Sequence, residues 1–286
     1  MTTFWRLVTC CAVAVLLLNG CSAMITSATG GMAERLGQAM LDSDDPATVK
    51  SATPAYLILM DSLVMDAPDD PELLRGAASL YGAYAGVFVS EPPRRKRLSA
   101  RALDYARRAA CRWRASLCDL QTIPFAELAP RLAELGPDDV PFLYTLGSTW
   151  AGWIENNAGD WTVIAELPRV KAIMQRVVAL NETWAHGNAH LYLGVMESLV
   201  PPAMGGKPDR ARAHFEKAIA LSGGRNLTAR VMYARYYARL VFDRELYERE
   251  LKAVLAADPH ATGLTLLNML ARQQAAELLA EADEYF

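Results

Sequence analysis

A chain of 286 residues, 52% hydrophobic and 21% charged, has enough apolar material for one large or two small cores, and its composition is far from that of a disordered segment. Its formal net charge of -3 leaves no excess of Lys and Arg to displace counterions from phosphates, so no nucleic-acid partner is expected.

The amino terminus carries an address. Arg6 precedes an apolar run over residues 7–18, and Leu18-Asn19-Gly20-Cys21 follows as a small-residue cleavage site ending in cysteine. The run is too short for a membrane span of about 20 residues, and the pattern resembles a bacterial lipoprotein signal. Residues 1–20 are therefore expected to be a signal peptide. Cys21 is expected to be the lipidated first residue of the mature chain, holding it to a membrane through its acyl chains. Ser22 stands where Asp would direct retention at the inner membrane, which by the general lipoprotein rule favours the outer one. Residues 21–50 are expected to form a tether and a short helix, and residues 51–286 the helical domain.

Residues 32–41 suit that short helix, and Asp42-Ser43-Asp44-Asp45-Pro46 should break it. A second helix is expected from Pro54, with Leu57, Met60, Leu63 and Val64 on one side. Asp69-Asp70-Pro71-Glu72 joins an acidic cap to a first-turn proline and predicts a helix reaching about Val89. After Pro92-Pro93 comes the most basic segment, Arg94-Arg95-Lys96-Arg97. It opens a helix that puts Arg97, Arg101, Arg108 and Arg112 on one face, with Ala102, Ala106, Ala109 and Trp113 toward the core. That face is either solvated or a docking surface for an acidic partner or lipid head groups.

Of five cysteines, Cys10 and Cys11 leave with the signal and Cys21 takes lipid, so Cys111 and Cys118 remain. In an oxidising periplasm they could pair. Within one continuous helix they would stand about 10 Å apart, so pairing requires the helix to end near Trp113 or Arg114. Two buried thiols are the alternative.

A short helix over residues 124–135 and a longer one over 141–157 follow, the latter with Leu146, Trp150, Trp153 and Asn157 at spacings of four, three and four. Such a stripe is either core or, with Asn157 at its end, the lining of a ligand passage. Beyond a helix over residues 162–180, the rotation along residues 185–199 places His186, His190 and Glu197 within about 40° of one another. Packing or a passage lining suits this stripe better than a metal site, because the two histidines lack the Glu-x-x spacing of a zinc hydrolase. Gly205-Gly206-Lys207 is no phosphate loop: Pro201 replaces the first glycine and Pro208 the magnesium-binding hydroxyl.

Leu193 and Gly194 on one helix, then Ala211, Phe215 and Ala218 on the next, have the pattern of a tetratricopeptide hairpin, in which small residues let two axes approach to about 8 Å. Helices over residues 228–241 and 245–257 form a further pair. The last, over 264–284, keeps Leu267, Ala271, Ala275 and Leu278 inward and gathers acidic groups at its end, as a capping helix would.

Pro202-Ala203-Met204-Gly205-Gly206-Lys207, Ala213-His214-Phe215-Glu216-Lys217-Ala218, Ser222-Gly223-Gly224-Arg225-Asn226-Leu227, Asp258-Pro259 and the closing Tyr285-Phe286 together resemble the T component of tripartite ATP-independent periplasmic (TRAP) transporters. The resemblance covers residues 54–286. It implies an all-α array of antiparallel hairpins like tetratricopeptide repeats, in a periplasm-facing lipoprotein. It also implies a homotrimer with a pore through each protomer, partnered with a TRAP solute-binding protein and handling a small organic solute. The competing class is an envelope assembly adaptor that handles no solute. No enzyme, cofactor or metal is expected, since no nucleophile with a base, paired-carboxylate motif or cofactor loop is legible.

Overall fold

The computed structural model describes residues 35–286, and the chain divides after Leu41. Of the first unit, residues 35–41 are helical. The second, Asp42–Phe286, is all-α, with no strand among the described residues. Cys21 and the signal lie outside the described residues.

Helix α1 spans Pro46–Asp66, starting well before Pro54. The acidic run that reads as a breaker is in fact the cap. The Asp45 carboxylate accepts from the amides of Ala47 and Thr48, and Pro46 sits in the first turn, where its missing N–H costs nothing. Pro54 is carried inside the helix, and the expected domain boundary at residue 51 falls within α1. Helices α2 (Pro71–Phe88) and α3 (Pro92–Trp113) fold back on one another. Ala102, Ala106 and Ala109 are buried between them, as their spacing predicts.

Helix α3 stops because Arg114 turns extended, with φ -150° and ψ 126°. Asp139, fully buried, holds the turn: it accepts the Trp113 indole N–H at 2.9 Å, the Arg114 Nε–H at 2.8 Å and the Gly136 amide at 2.8 Å. The reversal brings Cys111 and Cys118 to a Cα separation of 4.1 Å, joined as a disulfide. Trp113 is 40% exposed, stacked on Phe142 with centroids 4.5 Å apart.

Helices α4 (Phe125–Ala133), α5 (Val140–Asn156) and α6 (Leu167–Leu180) complete the first core. Between α5 and α6 lies the single turn Trp161–Ile164. Helices α7 (Asn188–Ser198) and α8 (Pro208–Leu221) form the central pair. A β-carbon at Gly194 would lie 3.1 Å from three atoms of the Phe215 ring, so the glycine is the space that the ring occupies. In the connection, a β-carbon on Gly206 would stand 1.8 Å from the Val200 carbonyl oxygen, which only glycine permits.

The second core gathers α8, α9 (Leu227–Met232) with the π turn Tyr233–Ala238 that continues it, α10 (Arg244–Ala256) and α11 (Thr265–Ala280). Asn268, fully buried, ties these pieces. Its Oδ1 accepts the Leu227 amide at 3.0 Å, and its Nδ2 donates to the carbonyls of Arg225 and Pro259 at 2.9 and 3.0 Å. The Ser222-Gly223-Gly224-Arg225-Asn226 turn thus has a structural cause, its two glycines taking φ of 60° and 74°.

Candidate functional site

The arginine face of α3 is largely neutralised by its own fold. Arg101 pairs with Asp61 at 2.9 Å, Arg112 with Asp69 at 2.8 Å and Arg108 with Asp104 at 3.7 Å. Asp61 in turn accepts the hydroxyls of Tyr81 and Tyr105, both at 2.7 Å. A solvated, internally paired face accounts for these residues.

Trp150 belongs to the core rather than to a lining: it is fully buried and donates its indole N–H to Glu166 at 2.6 Å, fastening α5 to the start of α6. Trp153 is partly buried against the same core, and Asn157 spends its side-chain amide on the Trp153 carbonyl at 2.8 Å, closing the helix end.

The expected stripe of His186, His190 and Glu197 does not form as a unit. Ala185, His186 and Gly187 all take left-handed backbone, with φ of 49°, 60° and 78°, so α7 begins only at Asn188 and His186 is off its helical phase. His190 turns to another helix. Its Nδ1 lies 2.8 Å from Nδ1 of His214 on α8, and its Nε2 lies 3.2 Å from Glu182. With Nε2–H donating to the carboxylate, His190 Nδ1 must accept, and His214 Nδ1 donates. Lys217 reaches the same Glu182 at 3.2 Å, while Glu197 pairs with Lys171 at 2.7 Å. Among the described residues no cluster of three metal-ligating groups exists.

Burial holds both imidazoles below their usual pKa of 6.5, against the pull of Glu182 on His190 and of Glu197 on His214; Lys217, Lys171 and Arg210 push the same way as burial. For a group whose folded pKa is depressed, stability is fully present above 6.5 and is lost as pH falls through the folded values. The unfolding free energy is therefore expected to decline on acidification from 6.5, and His190→Gln should flatten that decline. Urea melts on either side of 6.5 test it, and an unchanged slope in the variant would remove the pair as its source.

The face of α5 opposite the tryptophan is a different surface. Tyr144, Ser148, Gly152 and Glu155 follow one another at spacings of four, four and three. Tyr144 meets Tyr192 of α7 edge to face at 6.2 Å. Both hydroxyls are held up by desolvation, Tyr192 to about 12, with Glu155 raising it further and Ser148 opposing. Tyr236 of the π turn is raised likewise, by desolvation and then by Glu155. Asn188 connects the group inward, accepting from Asn226 Nδ2 at 2.8 Å. A β-carbon at Gly152 would meet nothing within 4 Å, so the face is open at that position. The sequence offered one usable sign of it: Tyr144, on the side of α5 that the tryptophan stripe leaves over.

The family model of the TRAP transporter T-component matches residues 42–286, the whole second unit. None of the curated proteins is similar enough to match. With the match spanning both cores, the chain belongs to the T-component family, the accessory components of TRAP transporters.

Proposed function

We propose that the chain is a lipid-anchored, periplasm-facing homotrimeric subunit that docks a TRAP solute-binding protein and passes a small, partly apolar organic solute through each protomer. The family match over both cores carries this reading, and Leu18-Asn19-Gly20-Cys21 supports the anchor. Ile58 and Met65, one heptad apart on α1 and 71% and 81% exposed, are an apolar surface suited to self-association. We take the hairpins to stack as tetratricopeptide repeats do.

The solute path in this reading runs along the Tyr144, Ser148 and Gly152 face of α5 toward Tyr192 and Tyr236, with Trp153, Asn157, His186, His190 and Glu197 behind or beside it. Aromatic walls provide buried area, and the hydroxyls with Glu155 fix orientation. Gly152→Leu tests it, because a helix-interior glycine costs about 1 kcal/mol relative to a good helix former and a β-carbon there meets nothing within 4 Å. The variant should melt no lower than wild type, should still co-sediment with the solute-binding protein, and should lose solute uptake in vesicles carrying the full transporter. Retained uptake sinks the path; absence of any complex between wild type and the solute-binding protein favours the assembly adaptor.

A further inference from the structure

A second opening stands in the other core, away from the α5 face. It is a cleft of about 320 Å³ between α8, α9 with its π turn, and α10. Its volume lies at the lower end for small-molecule sites. Ile219, Leu246 and the nearly buried rings of Tyr233 and Tyr237 form its apolar part. The π turn matters here, because its wider winding sets Tyr233 and Tyr237 toward the cleft while Tyr236 is left near Glu155, and such turns concentrate at functional sites.

The polar lining consists of three guanidiniums and three carboxylates, and their commitments are unequal. Glu216 accepts from Arg212 at 2.7 Å and from the Tyr233 hydroxyl at 3.3 Å. Glu250 accepts from Arg230 at 2.6 Å and stands 3.8 Å from Arg249. Asp243 caps α10 by accepting the Leu246 amide at 2.9 Å. Every carboxylate is therefore already engaged by a donor. A guanidinium has more N–H groups than these bonds use, and it has no acceptor at all. Arg249, 58% exposed with only its long approach to Glu250, is the least committed of the three. The lining is formally neutral, but its carboxylates are engaged while Arg249 keeps spare N–H groups beside an aromatic floor, so the open position is one for an acceptor, which a single acidic group supplies. A cation would have to compete for carboxylates that are occupied.

We propose that this cleft binds a small organic monoanion, its acidic group between Arg212 and Arg249 and its apolar part over Tyr233 and Tyr237. The site stands independently of the docking and passage reading, and a failure of either leaves the other untouched.

The test uses the purified full chain and three probes that share a butyl chain: pentanoate, butanesulfonate and butylammonium. Ligand-observed saturation-transfer NMR should show saturable binding of one or both anions and none of the cation, the two anions distinguishing a carboxylate from a sulfonate preference. Arg212→Gln with Arg249→Gln should weaken anion binding at least about tenfold, the worth of one charge-assisted contact. Both arginines are more than half exposed, so the fold should persist; Arg249→Gln alone, which breaks no close pair, serves if the double variant does not fold. No saturable anion binding by wild type, equal binding of butylammonium, or undiminished anion binding in the arginine variants overturns the proposal.

Discussion

Phe215→Ala is expected to lower the unfolding free energy by about 3–5 kcal/mol, the usual cost of truncating a fully enclosed aromatic ring. Phe215 has no exposed surface. Its ring fills the notch left by Gly194 on α7 and lies stacked on Tyr233 at 5.4 Å, so it touches the first helix of the central pair and the π turn of the next. Neighbours cannot close the gap cheaply. The Gly194 side has no side chain to move in, and Tyr233 is already held by Tyr237 at 5.2 Å and by Glu216. Denaturant unfolding followed by far-UV circular dichroism checks the value, and a loss below about 1 kcal/mol would mean the α7–α8 pairing is not what stabilises this half of the molecule.

The same residues show what was legible in the chain beforehand. Leu193, Gly194, Ala211, Phe215 and Ala218 are all buried, because two straight helices crossing at small residues leave a spacing that survives in one dimension. The α3 alanines were legible for the same reason. Helical phase failed where the backbone leaves the helix: Ala185 and His186 are non-glycine residues with positive φ, which no local pattern announces, and their unwinding removed His186 from the expected stripe. It failed again at Pro46 and Pro54, where a cap and an interior proline look alike until a carboxylate is seen bonding the first amides.

The candidate site was less legible than the fold, since it depends on which helices meet. His190 faces His214 from across the connection, a pairing that no periodicity within α7 contains. On α5 both faces carry aromatic residues. The tryptophan side is the more hydrophobic and draws attention first, yet Trp150 is sealed by Glu166 while the tyrosine side keeps open space at Gly152. The π turn is harder still, because one inserted residue shifts the phase of everything after Met232 without changing composition.

Cys21→Ser is expected to move the protein almost completely from the membrane fraction to the soluble fraction. Each acyl methylene contributes about 0.8 kcal/mol on burial, and two or more chains on one cysteine make the attachment stable where a single chain would be marginal. The rest of the chain offers little in exchange. Among the described residues no helix is long and apolar enough to cross a membrane, and three arginines of the α3 face, Arg101, Arg112 and Arg108, are paired with Asp61, Asp69 and Asp104. The substitution has to be made behind a secretory signal whose cleavage does not need the thiol, since an uncut apolar run over residues 7–18 would itself lodge in the bilayer. Fractionation after a high-salt wash gives the answer, because salt strips whatever charge alone retains. A variant that stays in the pellet, correctly cleaved and salt-washed, would place the anchor somewhere other than Cys21 and withdraw the lipoprotein reading, while the family assignment, which rests on residues 42–286, would stand.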